Sequence, residues 1–121
     1  MDHSTYAVQS TIVVPSGATG FLPPFIHPVP GGQVVHLVGV NAMVRDNGSA
    51  PTVTFNIHQN GANVAGLTGL VGATTVQATM WVPSSPVPVN DQDYFAPVVT
   101  AIANTPDGLT VSFFFEHMLE L

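Results

Sequence analysis

The sequence predicts a single all-β domain on three observations. The chain has 121 residues, enough for one hydrophobic core and too few for two. Valine occurs 19 times and threonine 12 times, and 11 glycines and 11 prolines interrupt them, which is typical of strands joined by turns. No stretch keeps apolar residues at helical spacing without a Gly or Pro interruption. Turn residues recur roughly every 8 to 15 positions, which favours a β-sandwich or a closed barrel.

The N-terminal segment contains a predicted strand followed by a proline-rich loop. The strand is expected from Tyr6 to Val14, where a Pro-Ser-Gly turn ends it. Residues Met1–Ser10 are also a candidate arm that extends to a neighbouring subunit. Residues Phe21–Gly32 contain four prolines, each of which lacks a backbone donor. This segment is therefore predicted to be an ordered loop and not a central strand.

Two strands of different character are predicted next. Residues Gln33 to Arg45 are apolar on both faces over much of their length, so we expect this strand to be covered on both sides. Gly39 indicates a bend or a bulge within it. Residues Val53 to Gln59 alternate strictly between apolar and polar, so one face is expected to be wet. Asn60-Gly61 suits a type I′ turn, which predicts that Ala62 to Val64 pair back onto this strand.

The C-terminal half adds three predicted strands. Residues Ala65 to Ala73 show no clear period, whereas Thr75 to Val82 alternate again. Prolines interrupt the pattern from Pro83 to Val89. The remaining strands are expected from Tyr94 to Ile102 and from Leu109 to Met118, joined by a Pro-Asp-Gly turn.

The charge of the chain excludes two classes of partner. It contains one Lys or Arg and seven Asp or Glu, for a formal net charge of −6 at pH 7. Charged residues make up 7% of the sequence, where about 25% is usual. With Arg45 as the only fixed cation, no basic surface is available for phosphates or anionic lipids. We therefore expect no nucleic-acid partner and no membrane partner.

The sequence contains no recognisable catalytic or cofactor motif. G-x-S-x-G and cysteine are absent, which argues against acyl transfer, and no Gly-rich turn opens a helix that could hold a phosphate. Asp46, Asp107 and Glu116 are candidate paired carboxylates for glycoside hydrolysis, but none has an activating neighbour in sequence. We predict that the protein is not an enzyme and uses no cofactor.

Two patterns could hold a metal ion, and each has a simpler interpretation. His36, His58 and His117 lie in three predicted strands and could converge, but no H-x-H or H-x-x-x-H pair places two of them on one element. Residues Asn90–Asp93 offer alternating oxygen ligands, as at the start of a calcium loop, without the Gly and closing Glu of such a loop. Asn and Asp also favour tight turns. We expect a turn at this position and no metal site.

Two aromatic side chains fall on faces that the alternation predicts to be polar. Phe114 shares a face with Thr110, Ser112 and Glu116, and Trp81 shares one with Thr75, Gln77 and Thr79. Either a partner chain covers these rings or the Phe21–Gly32 loop of the same chain does. We take Trp81 and Phe114 as candidate interface residues, with Phe21 and Phe25 of the loop as candidate arms. The low surface charge favours an obligate homo-oligomer.

Four segments resemble small jelly-roll or β-sandwich modules of tailed bacteriophage virions. They are VTFNIHQNG (Val53 to Gly61), GLTGL (Gly66 to Leu70), VPVNDQDYFAPVV (Val87 to Val99) and GLTVSFFFEHM (Gly108 to Met118). Such modules typically carry V-x-F-x-I-x-x-N-G, then V-x-x-G-D-x-[LF]-x-x-x-V, then a final alternating strand. This sequence has Asn90-Asp91-Gln92-Asp93 where Gly-Asp is usual.

The resemblance implies a jelly-roll-like antiparallel sandwich and a structural role in a virion. One implied role is a capsid decoration (cement) protein, which forms trimers, binds the major capsid protein and reinforces the exterior of the capsid. The alternative is a tail-fibre or receptor-binding module, or a carbohydrate-binding module that stacks Trp81, Tyr94 and the aromatic residues of the Phe21–Gly32 loop on sugar rings. The sequence has no coiled-coil heptads, which favours decoration over a tail module.

Overall fold

The computed structural model is a β-sandwich of two antiparallel sheets. It describes residues 3–12, 20–21, 25–26, 29, 31, 33–45, 48–75, 80–104, 106 and 108–119. Within these ranges the chain forms ten strands and no helix, so no described helix is long or apolar enough to cross a membrane. The prediction of an all-β sandwich is confirmed.

The first sheet contains the two ends of the described chain side by side. Its order is β1-β10-β4-β8. These strands are β1 (His3–Ile12), β10 (Leu109–Leu119), β4 (Gln33–Val44) and β8 (Val87–Val89). All three neighbouring pairs are antiparallel. We call this the four-stranded sheet.

The second sheet is built around two long strands with short strands on either side. Its order is β2-β9-β5-β6, with β3 also paired to β9 and β7 also paired to β5. The strands are β2 (Gly20–Phe21), β3 (Phe25–Ile26), β5 (Thr52–Gln59), β6 (Ala62–Asn63), β7 (Leu70–Gly72) and β9 (Tyr94–Ala103). We call this the six-stranded sheet.

The strand order is that of a jelly roll. In the order of the described strands, the chain changes sheet six times: between β1 and β2, β3 and β4, β4 and β5, β7 and β8, β8 and β9, and β9 and β10. Two Greek keys wound in this way bring the first and last strands together in one sheet. The jelly-roll-like fold class expected from the sequence is therefore confirmed.

The core lies between the sheets and follows the alternation of the strands. In β5, Val53, Phe55 and Ile57 are fully buried while the residues between them are half-buried. The ring of Phe95 on the six-stranded sheet lies 6.2 Å from Phe113 and 5.6 Å from Phe115 on the opposite sheet. Offset and edge-to-face contacts of this kind are the favoured geometries of aromatic rings. They join the two sheets near one end of the sandwich.

The hairpin after β5 forms as its sequence predicts. Asn60 and Gly61 both have positive φ, of 53° and 86°. Two consecutive positive φ angles define the type I′ turn, and the pairing of β5 with β6 follows from it. The strand expected at Ala62 to Val64 is shorter and comprises Ala62–Asn63.

Strand β4 differs from its prediction on one face. The register shifts between Phe114 and Phe115, where Gly39 and Leu37 are the partners, which confirms a bulge at Gly39. However, Val34 is 36% exposed and Met43 is 40% exposed. The expectation that this strand is covered on both sides is therefore wrong for the described part of the chain.

Several short segments also differ from expectation. Residues Leu70–Gly72 form β7 and Val87–Val89 form β8, although neither segment showed a strand pattern. Within the predicted strand Thr75 to Val82, residues 76–79 lie outside the described residues, and Trp81 makes only an isolated bridge to Val40. The first strand is His3–Ile12, so residues 3–10 of the candidate arm belong to the four-stranded sheet. Residues 13–14 lie outside the described residues.

The proline-rich loop contributes two short strands at an edge, and Pro97 explains their separation. Phe21 pairs with Val98 and Phe25 pairs with Phe95, on either side of Pro97. Ile57 of β5 lies opposite Pro97. Its N–H donates to the carbonyl of Leu67 and its carbonyl accepts the N–H of Val64, so both groups point away from β9. The side of Pro97 that lacks a backbone N–H therefore points away from β5, into the gap between β2 and β3, where no described strand needs the donor.

Candidate functional site

The outward side of the four-stranded sheet carries an unusual number of apolar side chains. In β10, Phe113 and Phe115 are fully buried, so Phe114 between them faces outward and is half-buried. We call this surface the outer face. Its members on β4 and β10 are Val34, His36, Val38, Asn41, Met43, Thr110, Ser112, Phe114, Glu116 and Met118.

Apolar and polar pairs alternate along the outer face. Val34 pairs with Met118, and His36 pairs with Glu116 in the next outward row. Phe114 then pairs with Gly39. A β-carbon at Gly39 would lie 3.0 Å from Met80 Cε, so the thioether side chain of Met80 occupies the space above this glycine. The centre of the outer face is thus a patch of phenyl ring and flexible thioether, which adapts well to a partner surface.

Trp81 lies on the opposite side of the same sheet. Its N–H and C=O bond Val40 at 2.8 Å and 2.9 Å, and its indole packs edge-on against Phe55, with the centroids 5.9 Å apart and the planes at 83°. The ring is half-buried and packs against the core. The structure therefore does not bring Trp81 and Phe114 together, because they occupy opposite faces of the four-stranded sheet.

The two remaining candidate residues belong to short strands beside β9. Phe21 lies in β2 and Phe25 in β3. Their backbones pair with Val98 and Phe95. Their side chains lie outside the described part of the structure, so their role as arms stays a prediction.

A second polar feature, the Asp93 cluster, lies at the end of the β5–β6 hairpin. Asp93 is 8% exposed. Its Oδ2 accepts hydrogen bonds from the Gln59 side chain at 3.0 Å and from the Asn90 backbone N–H at 2.8 Å. Its Oδ1 accepts one from the Asn60 side chain at 2.8 Å. Asn60 Oδ1 in turn accepts the backbone N–H of Tyr94 at 3.0 Å.

The Asp93 carboxylate is stabilised in its charged form. Desolvation by burial raises the pKa of Asp93, but the hydrogen bonds from Asn60, Asn90 and Gln59 outweigh it and bring the pKa below the ordinary value of 3.8. Asp93 N–H also donates to the carbonyl of Asn90 at 3.0 Å and closes a turn. The turn predicted for Asn90–Asp93 is therefore confirmed, and Asp93 connects the end of β5 and the hairpin turn to the turn before β9.

The candidate metal ligands are distributed over both sheets. His36 and His117 lie in the four-stranded sheet and His58 in the six-stranded sheet. His117 Nδ1 lies 2.6 Å from Gln33 Oε1, and burial lowers the pKa of His117 below the ordinary 6.5. Within the described ranges, no three His, Asp or Glu side chains are grouped so that they could share an ion.

The remaining candidate features are the three carboxylates and a groove beside β8. Glu116 lies on the outer face, whereas Asp46 and Asp107 lie outside the described residues. A shallow groove of about 310 Å³ lies between the β5–β6 hairpin and β8. Its lining, which includes Gln59, Asn63 and Ser85, contains no aromatic ring and no ionisable group. Stacking on a sugar ring and acid–base chemistry both lack a residue there.

Sequence reasoning found part of the outer face and missed the rest. The break in alternation at Phe114 was a visible signal. The same signal was present at Val34 and Met43, since the doubly apolar strand Gln33–Arg45 could have an exposed face. The position of Met80 over Gly39 depends on a bridge between distant residues, which no local pattern shows.

These features define the chain as a jelly-roll β-sandwich with an apolar outer face. No known protein family and no curated protein matches its sequence.

Proposed function

We propose that this protein is a non-enzymatic structural protein of a virion, a capsid decoration (cement) protein that binds and reinforces the outer surface of a phage capsid. The observation that carries the proposal is the outer face, where the half-buried Phe114 and Met118 and the exposed Val34 and Met43 lie on one side of the four-stranded sheet. Apolar side chains displayed on a flat sheet favour contact with another protein surface over binding of a small molecule.

The charge distribution also supports a protein surface as the partner of the outer face. The chain has one fixed cation, Arg45, which is exposed directly after β4 and whose backbone N–H donates to the carbonyl of Gly108. Interface centres are depleted in charged residues and enriched in aromatic residues and methionine, as the outer face is. The proposed partners are further copies of this chain, for which the resemblance implies trimers, and the major capsid protein.

The proposed mechanism is mechanical. Apolar contacts spread across adjacent capsomers add binding free energy to the joints that internal pressure from DNA tends to open. The stiffness of the sandwich suits this role, because the closely packed core resists deformation. No bond is made or broken, so the proposal requires neither a cofactor nor a catalytic group.

The carbohydrate-binding alternative loses its main residue. It relied on Trp81 and Tyr94 as stacking platforms, but the Trp81 indole packs against Phe55 in the core. Tyr94 is 40% exposed and pairs with the exposed Ile26, so of these two rings only that of Tyr94 is exposed, and the side chains of Phe21 and Phe25 lie outside the described part of the structure. Sugar sites of this kind usually need a ring whose face is free.

The test is the copy number in intact particles of the virus that encodes the chain. Quantitative mass spectrometry against the major capsid protein should find hundreds of copies per particle. Purified chain added to particles that lack it should bind to saturation and raise the temperature at which they release DNA. A handful of copies per particle, or saturable binding to a glycan array and not to capsids, would point to the tail or carbohydrate alternative.

A further inference from the structure

The described strands at the sheet edges differ sharply in length. On the four-stranded sheet, one edge is β8, with three residues, and the other is β1, with ten. On the six-stranded sheet, β2, β3, β6 and β7 have two or three residues each. Short edge strands are one of the ways in which proteins prevent unwanted pairing. Strand β1 is the exception within the described chain.

Strand β1 also lacks the other protections of an exposed edge. Its sequence, HSTYAVQSTI, contains no proline, no Lys or Arg and no Asp or Glu. Its backbone pairs with β10 in unbroken register from His3 to Ile12, without a bulge that would twist the edge away. A long, straight, uncharged edge presents a regular row of N–H and C=O groups that can pair with a further strand.

We propose that two copies of this chain associate through β1, which pairs antiparallel with β1 of the second copy. The two four-stranded sheets then form one continuous sheet. In a full overlap of ten-residue strands, alternate residues on each strand donate and accept, so about ten hydrogen bonds form. This is about the number found in a typical protein–protein interface.

The edges favour a second copy in this orientation over other pairings. Strand β8 is too short for more than a few bonds, and Pro88 at its centre lacks a donor. Pairing of β1 with itself is self-complementary, as a two-fold contact requires. Because β1 carries no fixed charge, no antiparallel register places like charges opposite each other.

The contact has a consequence for the outer face. The two-fold axis that relates antiparallel strands is perpendicular to their sheet, so both outer faces lie on the same side of the dimer. Since β10 lies next to β1, the two Phe114 residues lie on this shared side, separated by the two paired β1 strands. The inference rests on the self-association part of the proposed function and does not need capsid binding. It predicts a dimer where the resemblance implies a trimer.

The test compares two variants with equal added charge. Gln9 and Thr11 pair with Ser112 and Thr110, which are not core residues, so Q9K/T11K should fold. The control T68K/S85K carries the same charges on exposed loop residues. Light scattering should give the wild type and the control twice the chain mass of 12.6 kDa. The dimer dissociation constant of Q9K/T11K should rise about tenfold or more, because lysines on an edge strand oppose its pairing with a further strand.

A second measurement covers the case in which Q9K/T11K does not fold. Amide hydrogen exchange of the wild type should show β1 becoming more protected as protein concentration rises, while β5 amides do not change. A wild-type monomer at every concentration, or an oligomer that Q9K/T11K and the control retain equally, would overturn the inference. Loss of capsid binding with an intact β1 dimer would contradict only the proposed function.

Discussion

Asp93 is the one charged side chain that the described part of the chain buries, and two of its three side-chain hydrogen bonds join separate segments. It ties Gln59 and Asn60 at the end of β5 to Asn90 before β9. A buried carboxylate without such donors would take up a proton instead of keeping its charge. The cluster therefore holds the hairpin in place against the strand that follows Asp93.

Replacement of Asp93 by Asn should remove this connection. The amide presents an NH₂ group to donors that need an acceptor, so D93N should lower the free energy of unfolding by about 2 to 3 kcal/mol. Urea denaturation measures the change. The matched control is D91N, since Asp91 is exposed and accepts one long bond of 3.3 Å from Val29. It should change stability by about 0.5 kcal/mol or less; equal losses in both variants would contradict the role given to Asp93.

The stability of the protein should fall in two steps as the pH is lowered. Burial depresses the pKa of His117 below 6.5, so the unfolded chain binds more protons and stability falls as the pH drops through that range. The lowered pKa of Asp93 makes its contribution present above pH 3.8 and lost as the pH falls further. Chemical denaturation at a series of pH values should show the upper step disappear in H117Q and the lower step in D93N. A rise in stability on acidification below pH 6.5 would show the opposite sign.

Gln92 offers a stabilising substitution at the same turn. Its φ is +70°, a conformation that costs a residue with a β-carbon about 1 kcal/mol or more and costs glycine nothing. Glycine also adds conformational entropy to the unfolded chain, which offsets part of this gain. Q92G should therefore raise the free energy of unfolding by about 0.5 to 1 kcal/mol, measured by denaturation. The converse change G61A, at φ +86° in the neighbouring turn, should destabilise. A less stable Q92G would mean that its side chain makes a contact that this geometry does not include.

At the scale of elements, close backbone approach explains one of the joints between the sheets. Gly66, in the loop after β6, has φ +87°, and a β-carbon there would lie 2.6 Å from the backbone nitrogen of Ser84. Ser84 N–H donates to the carbonyl of Ala65 at 2.9 Å, so the loop and the segment before β8 touch through their main chains. This contact requires glycine for both its conformation and its lack of a side chain.

G66A and G69A separate these two requirements. Both glycines have positive φ, but a β-carbon at Gly69 would meet nothing within 4 Å. G69A should cost about 1 to 2 kcal/mol from conformation alone. G66A should cost about 2 kcal/mol more, because a backbone atom blocks the new methyl group and cannot rotate away. Thermal and urea unfolding of the two variants give the comparison, and similar losses would mean that the loop can move away from Ser84.

The same scale shows how far the sequence predicts the fold. Strand β5 was predictable because alternation over many residues is a property of the strand itself, and β9 was predictable as an apolar run closed by a turn. Strands β7 and β8 were not, since three residues carry too little pattern and their pairing partners decide their conformation. The prediction placed Trp81 on a polar face because it treated Thr75 to Val82 as one unbroken strand. The chain makes only a single bridge there, and the ring turns toward Phe55.

At the scale of the whole molecule, apolar residues divide into two sets with different roles. Phe113 and Phe115 fill the core, and Phe114 between them adds little to it because it points to the other side of the sheet. Phe114 has no core to fill. A phenylalanine at such a position suits a chain whose outer face is covered by another protein on assembly. The stability of the isolated subunit and the strength of its attachment should therefore respond to different residues.

Replacement of Phe114 by Ser tests that division. F114S should lower subunit stability by about 1 kcal/mol and should weaken binding to undecorated particles by about tenfold or more, because a central aromatic contact is lost. V71S is the matched control, since Val71 is 46% exposed on the six-stranded sheet, away from the outer face. Its binding should match that of the wild type. If V71S loses attachment and F114S keeps it, the six-stranded sheet is the surface that meets the capsid.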